Sequence, residues 1–210
     1  MKKKYTLCII SIAFLFSATH GQIIKGEKFI GGSVSAYGND YDNSTPYESS
    51  QANIFLTPKL GFPLNKSWVI GPLIGYSHSK NKNKSGQDQS LQESNNYSAG
   101  AFVRKFHSFN QIVGIFAELE ASYGSGKSKN RSEASGVVYE NKSKVNLFVI
   151  GLKPGIYFKP GNRFLIEASL GNIGYREVTE KPEGVDKFKS KQFSASLSNY
   201  LSFGLQFILK

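Results

Sequence analysis

Apolar and polar residues alternate along most of the chain, in runs of about ten or more positions. In the segment FAELEASYG (116–124), Ala117, Leu119 and Ala121 share one face, and the two glutamates of the segment fall on the other. Such strict alternation is typical of a β-strand with one apolar face. Eight runs of this kind predict an all-β protein, with strands near 28–39, 50–62, 68–79, 96–106, 113–124, 145–158, 164–175 and 193–209.

The connections between these runs alternate between short and long. Short turns are predicted at 63–67, 107–112 and 159–163, and long polar segments at 40–49, 80–95, 125–144 and 176–192. Antiparallel barrels of the outer membrane have short periplasmic turns and longer extracellular loops. The spacing therefore predicts an eight-stranded antiparallel transmembrane barrel, with the short turns on the periplasmic side and the long segments forming extracellular loops.

The two faces of the predicted strands differ as a membrane barrel requires. In the run 50–62 the residues expected to face lipid are Ala52, Ile54, Leu56, Pro58, Leu60 and Phe62. Gln51, Asn53, Thr57, Lys59 and Gly61 lie on the opposite face. Only a closed barrel pairs every backbone group of such a sheet within hydrocarbon. With eight strands the interior is just wide enough for side chains to fill it, so we predict a polar, plugged lumen.

The first 21 residues have the features of a secretory signal peptide. Lys2, Lys3 and Lys4 precede an apolar run at 7–16, and small residues follow it. The run is too short for a permanent transmembrane helix. We place cleavage after Gly21, with Ala18 as the alternative, so the barrel domain is expected at 22–210. Cleavage also removes Cys8, the single cysteine, and lowers the formal charge from +11 to +8.

Several charged residues fall on the face predicted to line the lumen. A buried charge is costly unless it is paired, so we predict a lumen ion network. Arg104 is the preferred partner for a glutamate of the 116–124 segment, although strand parity does not decide which glutamate is closer. The alternative is a general acid–base pair, because side chains two apart on a strand lie roughly 7 Å apart. The predicted network comprises Lys59, Arg104, Glu118, Glu120, Lys153 and Glu167.

The third long segment is rich in basic residues. Two hypotheses fit it: a solvated surface loop, or a loop that contacts phosphates of lipopolysaccharide or another polyanion. Nucleic-acid binding is disfavoured, since no aromatic residues are interleaved with the lysines. With Cys8 in the signal peptide and His78 and His107 far apart, no metal site or other cofactor is expected. The basic residues concerned are Lys127, Lys129, Arg131, Lys142 and Lys144.

The sequence resembles the small eight-stranded outer-membrane barrels typified by the OmpA transmembrane domain and OmpX. It is most similar to porin-like outer-membrane β-barrel proteins of Bacteroidetes-type bacteria. The resemblance is carried by the segments 98–106, 116–124, 151–158, 164–175 and 201–207.

This resemblance implies a location in the outer membrane of a Gram-negative bacterium, as a monomer among lipids and lipopolysaccharide. The barrel-assembly machinery is the expected partner during biogenesis, and an extracellular ligand remains unspecified. A non-enzymatic structural or surface-interaction role is expected. The alternatives are a small porin-like channel and a lipid-A-modifying enzyme, for which His78 is the histidine nearest the predicted outer rim.

Overall fold

The computed structural model describes residues 27–42, 47–184 and 186–209, with the backbone alone at 42 and 197–200. Within these residues the chain forms a closed antiparallel barrel in which each strand pairs with its neighbour in sequence and β8 pairs with β1. The predicted fold class is thus confirmed. The predicted signal peptide, 1–21, lies outside the described residues. The strands are β1 (Lys28–Asp42), β2 (Tyr47–Pro63), β3 (Trp68–Ser85), β4 (Asp88–Ser108), β5 (Val113–Ala134), β6 (Val137–Phe158), β7 (Phe164–Pro182) and β8 (Phe188–Leu209).

Most of the residues predicted to form long loops belong to strands instead. β3 pairs with β4 as far as Ser85 and Asp88, and β5 pairs with β6 as far as Ala134 and Val137. The loop prediction was wrong because a polar composition does not prevent pairing outside a membrane. In a long hairpin the backbone groups satisfy one another, and both faces can carry Ser, Asn and Lys.

Tight turns close the long hairpins. Ser135 and Gly136 join β5 to β6 with φ angles of 51° and 79°, the left-handed values that a type I′ turn requires at both central residues. This turn continues the twist of the two strands. The end of the barrel that carries these extended hairpins is called the hairpin end below.

The opposite end, called the turn end, carries the three short connections. Asn65 accepts hydrogen bonds at its Oδ1 from the backbone N–H groups of Ser67 and Trp68, at 2.9 and 3.0 Å. Asn110 does the same for Ile112 and Val113, at 2.8 Å each. In both turns an asparagine side chain replaces a backbone acceptor and fixes the connection.

The outer wall is an apolar belt bordered by aromatic residues. Ile54, Leu56, Ile74 and Leu119 point away from the lumen and are more than 40% exposed, as the predicted faces require. Trp68 starts β3 at the turn end. Near the hairpin end Tyr76 packs against Tyr97, and Tyr123 and Phe148 continue the row on β5 and β6. These last four residues are called the hairpin-end aromatic belt.

The lumen near the turn end is an apolar core. A cluster of mostly aromatic side chains fills it, which the expectation of a wholly polar lumen did not include. A narrow eight-stranded barrel has room inside for side chains only. Large aromatic side chains fill that space and exclude water from it. The cluster contains Phe29, Val69, Leu73, Phe102, Phe106, Phe116, Tyr157, Leu165 and Ile208.

The seam joins the first and last strands. Among the residues that the structure describes in full, β1 and β8 pair from Lys28–Leu209 to Val34–Phe203, and just beyond this stretch Ser35 Oγ donates to the Leu201 carbonyl oxygen at 3.2 Å. Nearby, Gly171 of β7 has φ 77°, and the β7–β8 pairing jumps from Leu170–Leu201 to Asn172–Ser196. The β7–β8 ladder is therefore irregular beside this glycine.

No helix in the part of the chain that the structure describes is long and apolar enough to cross a bilayer.

Candidate functional site

The six charged residues predicted for the lumen form a single chain of contacts. Arg104 on β4 lies opposite Glu118 on β5 in the strand register. Its Nε and Nη2 both donate to Glu118 Oε2, at 2.7 and 2.6 Å. Its Nη1 donates to Glu167 on β7, which also accepts from Gln206 on β8 at 3.5 Å. Arg104 therefore joins two glutamates that lie on different strands, β5 and β7, neither of which is its own.

Lys59 of β2 extends the chain to the second glutamate. Its ammonium lies 2.5 Å from Glu118 Oε1 and also contacts Glu120. Glu120 accepts a further hydrogen bond from Lys153 of β6. In strand register Lys153 is opposite Glu118, yet its ammonium reaches Glu120, because Glu118 is already occupied by Arg104 and Lys59. Of the two glutamates on β5, Glu118 is the one that pairs with Arg104.

The network alternates in sign from one end to the other. Its order is Glu167, Arg104, Glu118, Lys59, Glu120, Lys153, so three cations face three anions. The side chains of the first four are at most 5% exposed, and Lys153, at 29%, faces the more open part of the lumen. This neutral arrangement meets the requirement that buried charges be paired and hydrogen-bonded.

The aromatic core lies directly beneath the network. The guanidinium carbon of Arg104 is 4.4 Å from the ring centre of Phe116 and 5.4 Å from that of Phe106. The Lys59 ammonium is 5.4 Å from the ring centre of Phe102. Cations above aromatic faces are stabilised by the ring quadrupole, more so away from water. Network and core thus form one continuous plug, and sequence periodicity missed its lower half because apolar residues occupy both faces there.

The paired glutamates are poorly placed for acid–base chemistry. Glu118 is 1% exposed and has a cation on each carboxylate oxygen. Glu120 is also held between two lysines. A general acid or base must reach its substrate, directly or through one water. In this geometry the two carboxylates neutralise the cations of the lumen, which is a structural role.

The predicted basic loop is in fact strand, and its side chains lie on the outer wall. Lys127 and Lys129 are on β5 and face Lys144 and Lys142 of β6 in register, and Arg131 faces Glu140. Lys129 and Lys142 both contact the Glu140 carboxylate, at 3.0 and 3.5 Å. The Lys129 hydrogen bond is the main reason that the pKa of Glu140 is lowered from its usual value.

A fifth lysine joins this basic surface from the next strand. Lys181 of β7 is opposite Lys144 of β6. Lys181 could not be predicted from the sequence, because only the β6–β7 register brings it beside residues almost 40 positions earlier. The surface encloses a groove of about 700 Å³, which Glu93 and Glu183 also line. The five residues Lys127, Lys129, Lys142, Lys144 and Lys181 are called the lysine groove.

Neither histidine belongs to the lumen network, although His78 reaches the edge of the lysine groove through Asn95, the register partner of Lys127. His78 is on the outer face of β3, where its Nδ1 is 2.8 Å from Asn95 Oδ1. His107 was expected in a turn but lies near the end of β4, where its ring meets Phe109 edge-on. Among the described residues, no group of three or more His, Cys, Asp or Glu side chains could hold a metal ion.

Comparisons with known proteins found similar structures but no similar sequence. No family model and no curated protein matches the amino-acid sequence. Among solved structures, the outer membrane protein OprG from Pseudomonas aeruginosa is 11% identical with a TM-score of 0.50, over 88% of this chain and 96% of OprG. The attachment invasion locus protein Ail of Yersinia pestis is 16% identical with a TM-score of 0.38, over 89% of this chain and 100% of Ail.

Neisserial surface protein A is also similar, at 14% identity and a TM-score of 0.35, over 87% of this chain and 97% of that protein. All three are small β-barrel proteins, and the likeness to OprG concerns the fold. The resemblance recognised in the sequence is thereby confirmed at that level: the chain has the fold of a small outer-membrane β-barrel.

Proposed function

We propose that this protein is a closed, non-enzymatic barrel of a Gram-negative outer membrane that serves a structural or surface-interaction role. The turn end faces the periplasm and the extended hairpins stand above the cell surface. The belt of exposed apolar side chains, about nine to twelve residues along each of the central strands, has the height that a bilayer core requires.

The observation that carries this proposal is the plug. Six paired charges cross the lumen from β2 to β7, and the aromatic core seals the space beneath them. Opening a path for solutes would separate buried ion pairs and expose large rings to water, and each step is costly. The passage of solutes through the closed barrel therefore meets a substantial energy barrier.

The surface role is supported by the shape and composition of the hairpin end. The β5–β6 hairpin continues far above the aromatic belt as a paired, polar ribbon. Such a ribbon is rigid enough to present side chains in a fixed arrangement. The engaged state of Glu118 and Glu120 supports the non-enzymatic part of the proposal.

Single-channel recording in planar bilayers tests this function. The wild-type barrel is expected to give no discrete conductance steps in concentrated KCl. A variant with Phe102, Phe106 and Phe116 changed to Ala removes the floor of the plug and is expected to conduct. A matched variant with Ile54, Leu56 and Ile74 changed to Ala alters the outer wall alone and should stay closed. Regular steps from the wild-type protein would contradict the proposal and favour a pore.

A further inference from the structure

The lysine groove contains three cations that the protein itself does not neutralise. Lys127, Lys144 and Lys181 are successive register partners on β5, β6 and β7. No carboxylate of the described residues lies within ion-pair distance of any of the three. Like charges directly opposite one another on a sheet destabilise it. A row of three is thus a local concentration of positive charge suited to an anionic ligand.

Their neighbours in the groove are arranged differently. Lys129 and Lys142 share Glu140, and Glu93 is paired with Lys80 at 3.1 Å. Two of the carboxylates near the groove are therefore already engaged, whereas Glu183 at its edge has no ion-pair partner among the described residues. What remains open to a ligand is the row of three ammonium groups.

The position of the row relative to the apolar belt indicates the kind of ligand. Lys127 follows Tyr123 by four residues, and Lys144 precedes Phe148 by four, on strands whose mutual register is unbroken. At ~3.3 Å per residue this is about 13 Å along the strand, or about 10 Å in height for a tilted strand. Aromatic belts lie at the headgroup level, so the ammonium groups stand just above it, and lysine side chains can bend towards the interface.

On β5 and β6 the wall between the belt and the lysines is polar but uncharged, and on β7 the belt row holds Glu177, which is paired with Lys189 at 2.7 Å. Ser125, Asn146 and Thr179 form one register row, directly below the row of lysines. From the membrane outwards β5 and β6 thus present rings, then hydroxyl and amide groups, then ammonium groups. A phosphorylated glycolipid has the same order of polarity: acyl chains, then amide- and hydroxyl-bearing sugars, then phosphates.

We propose that the lysine groove binds the phosphate groups of an anionic glycolipid in the outer leaflet, with Lys127, Lys144 and Lys181 as the main contacts. This inference rests on the membrane placement given under the proposed function. It assigns the barrel a lipid site on its outer wall, separate from the lumen. Lipid phosphate neutralises the three facing lysines and so stabilises the β5–β6–β7 wall when the barrel is in its membrane.

Native mass spectrometry of the purified barrel in detergent, titrated with diphosphoryl lipid A, tests the proposal. Lys127, Lys144 and Lys181 are changed together to Gln. The matched control changes Lys82 and Lys84 on β3 to Gln and keeps Lys80, because Lys80 pairs with Glu93 at the edge of the groove. It is compared with the double change of Lys127 and Lys144 to Gln, which removes the same charge. Lipid A without phosphates and soluble inositol hexakisphosphate are titrated in parallel, and heat-modifiable migration confirms that each variant is folded.

The wild-type barrel is expected to bind diphosphoryl lipid A at least tenfold more tightly than the phosphate-free form. The groove variant should weaken binding on the order of a hundredfold, since each lysine near an anionic surface contributes about fivefold. The β3 control should change it less than threefold. Equal losses in the two double variants, or equal binding of phosphate-free lipid A, would overturn the proposal.

A soluble polyanion site is the other outcome that would overturn it. Inositol hexakisphosphate would then bind as tightly as lipid A and with the same dependence on the three lysines. The conductance measurement is independent of these titrations. A barrel that conducts yet binds lipid A through the groove would contradict only the closed-lumen function.

Discussion

Replacing Glu118 by Gln removes the central anion of the lumen network. Its two partners each keep one carboxylate, since Arg104 still contacts Glu167 and Lys59 still contacts Glu120. Breaking a fully buried pair costs about 3–5 kcal/mol when the remaining charge is uncompensated. Because both cations retain a partner, we expect a loss near the lower end, about 3 kcal/mol.

Arg104→Met completes a double-mutant cycle that isolates the interaction. With Arg104 already removed, the Glu118→Gln change no longer leaves a guanidinium under-paired, so the two losses should not add. Residues in one buried network typically show coupling of about 0.5–3 kcal/mol. We expect about 1–3 kcal/mol for Glu118 with Arg104. Glu120, which contacts Lys59 and Lys153, should couple to Arg104 by less than about 0.5 kcal/mol.

Urea unfolding in lipid vesicles measures these free energies, and Trp68, the only tryptophan, reports the transition by its fluorescence. The exposed pair Lys80–Glu93 serves as the surface control, and its coupling should not exceed about 1 kcal/mol. Coupling near zero between Glu118 and Arg104, or coupling as large for Glu120, would refute the network as described.

Two further predictions concern the placement of the barrel in its membrane. Single cysteines introduced at Gln87 and Glu183 should react with an impermeant maleimide in intact cells. Single cysteines at Lys66, Gln111 and Gly161 should react only after the outer membrane is opened. The reverse labelling pattern would show that the barrel has the opposite orientation. Leu119→Arg places a charge in the apolar belt and should lower the free energy of unfolding in vesicles by about 2–4 kcal/mol, whereas Ser125→Arg, on the same face of the same strand but above the belt, should cost at most about 1 kcal/mol. Equal costs at the two positions would contradict the assigned height of the belt.

Strand periodicity predicted much of the fold because a strand alternates its faces regardless of what it pairs with. Arg104 and a glutamate of the next strand could be predicted as lumen neighbours, but the choice of Glu118 over Glu120 follows only from the β4–β5 register. Lys59 could be placed on the lumen face but not beside Glu118, because β2 and β5 are not adjacent. Their contact depends on the width and stagger of the closed ring, which no single strand encodes.

The hairpin end was harder to predict for a related reason. Residues 125–134 and 137–144 have the polarity of a loop, and only their mutual pairing makes them strands. Lys181 shows the same limit, because its place beside Lys144 follows from the β6–β7 register. Register is set by contacts between strands and is weakly specified where both faces are polar.

The seam between β1 and β8 makes closure the most demanding step in building this ring. The other ladders join strands that are neighbours in sequence, whereas the seam joins residues separated by almost the whole chain. Bringing such distant residues together therefore has the largest loop-closure entropy cost of any ladder. We therefore expect the sheet to assemble from the central hairpins outwards and to close last. Thermal opening of the finished barrel should begin at the seam between β1 and β8, while the plug inside still holds β2 to β7 together.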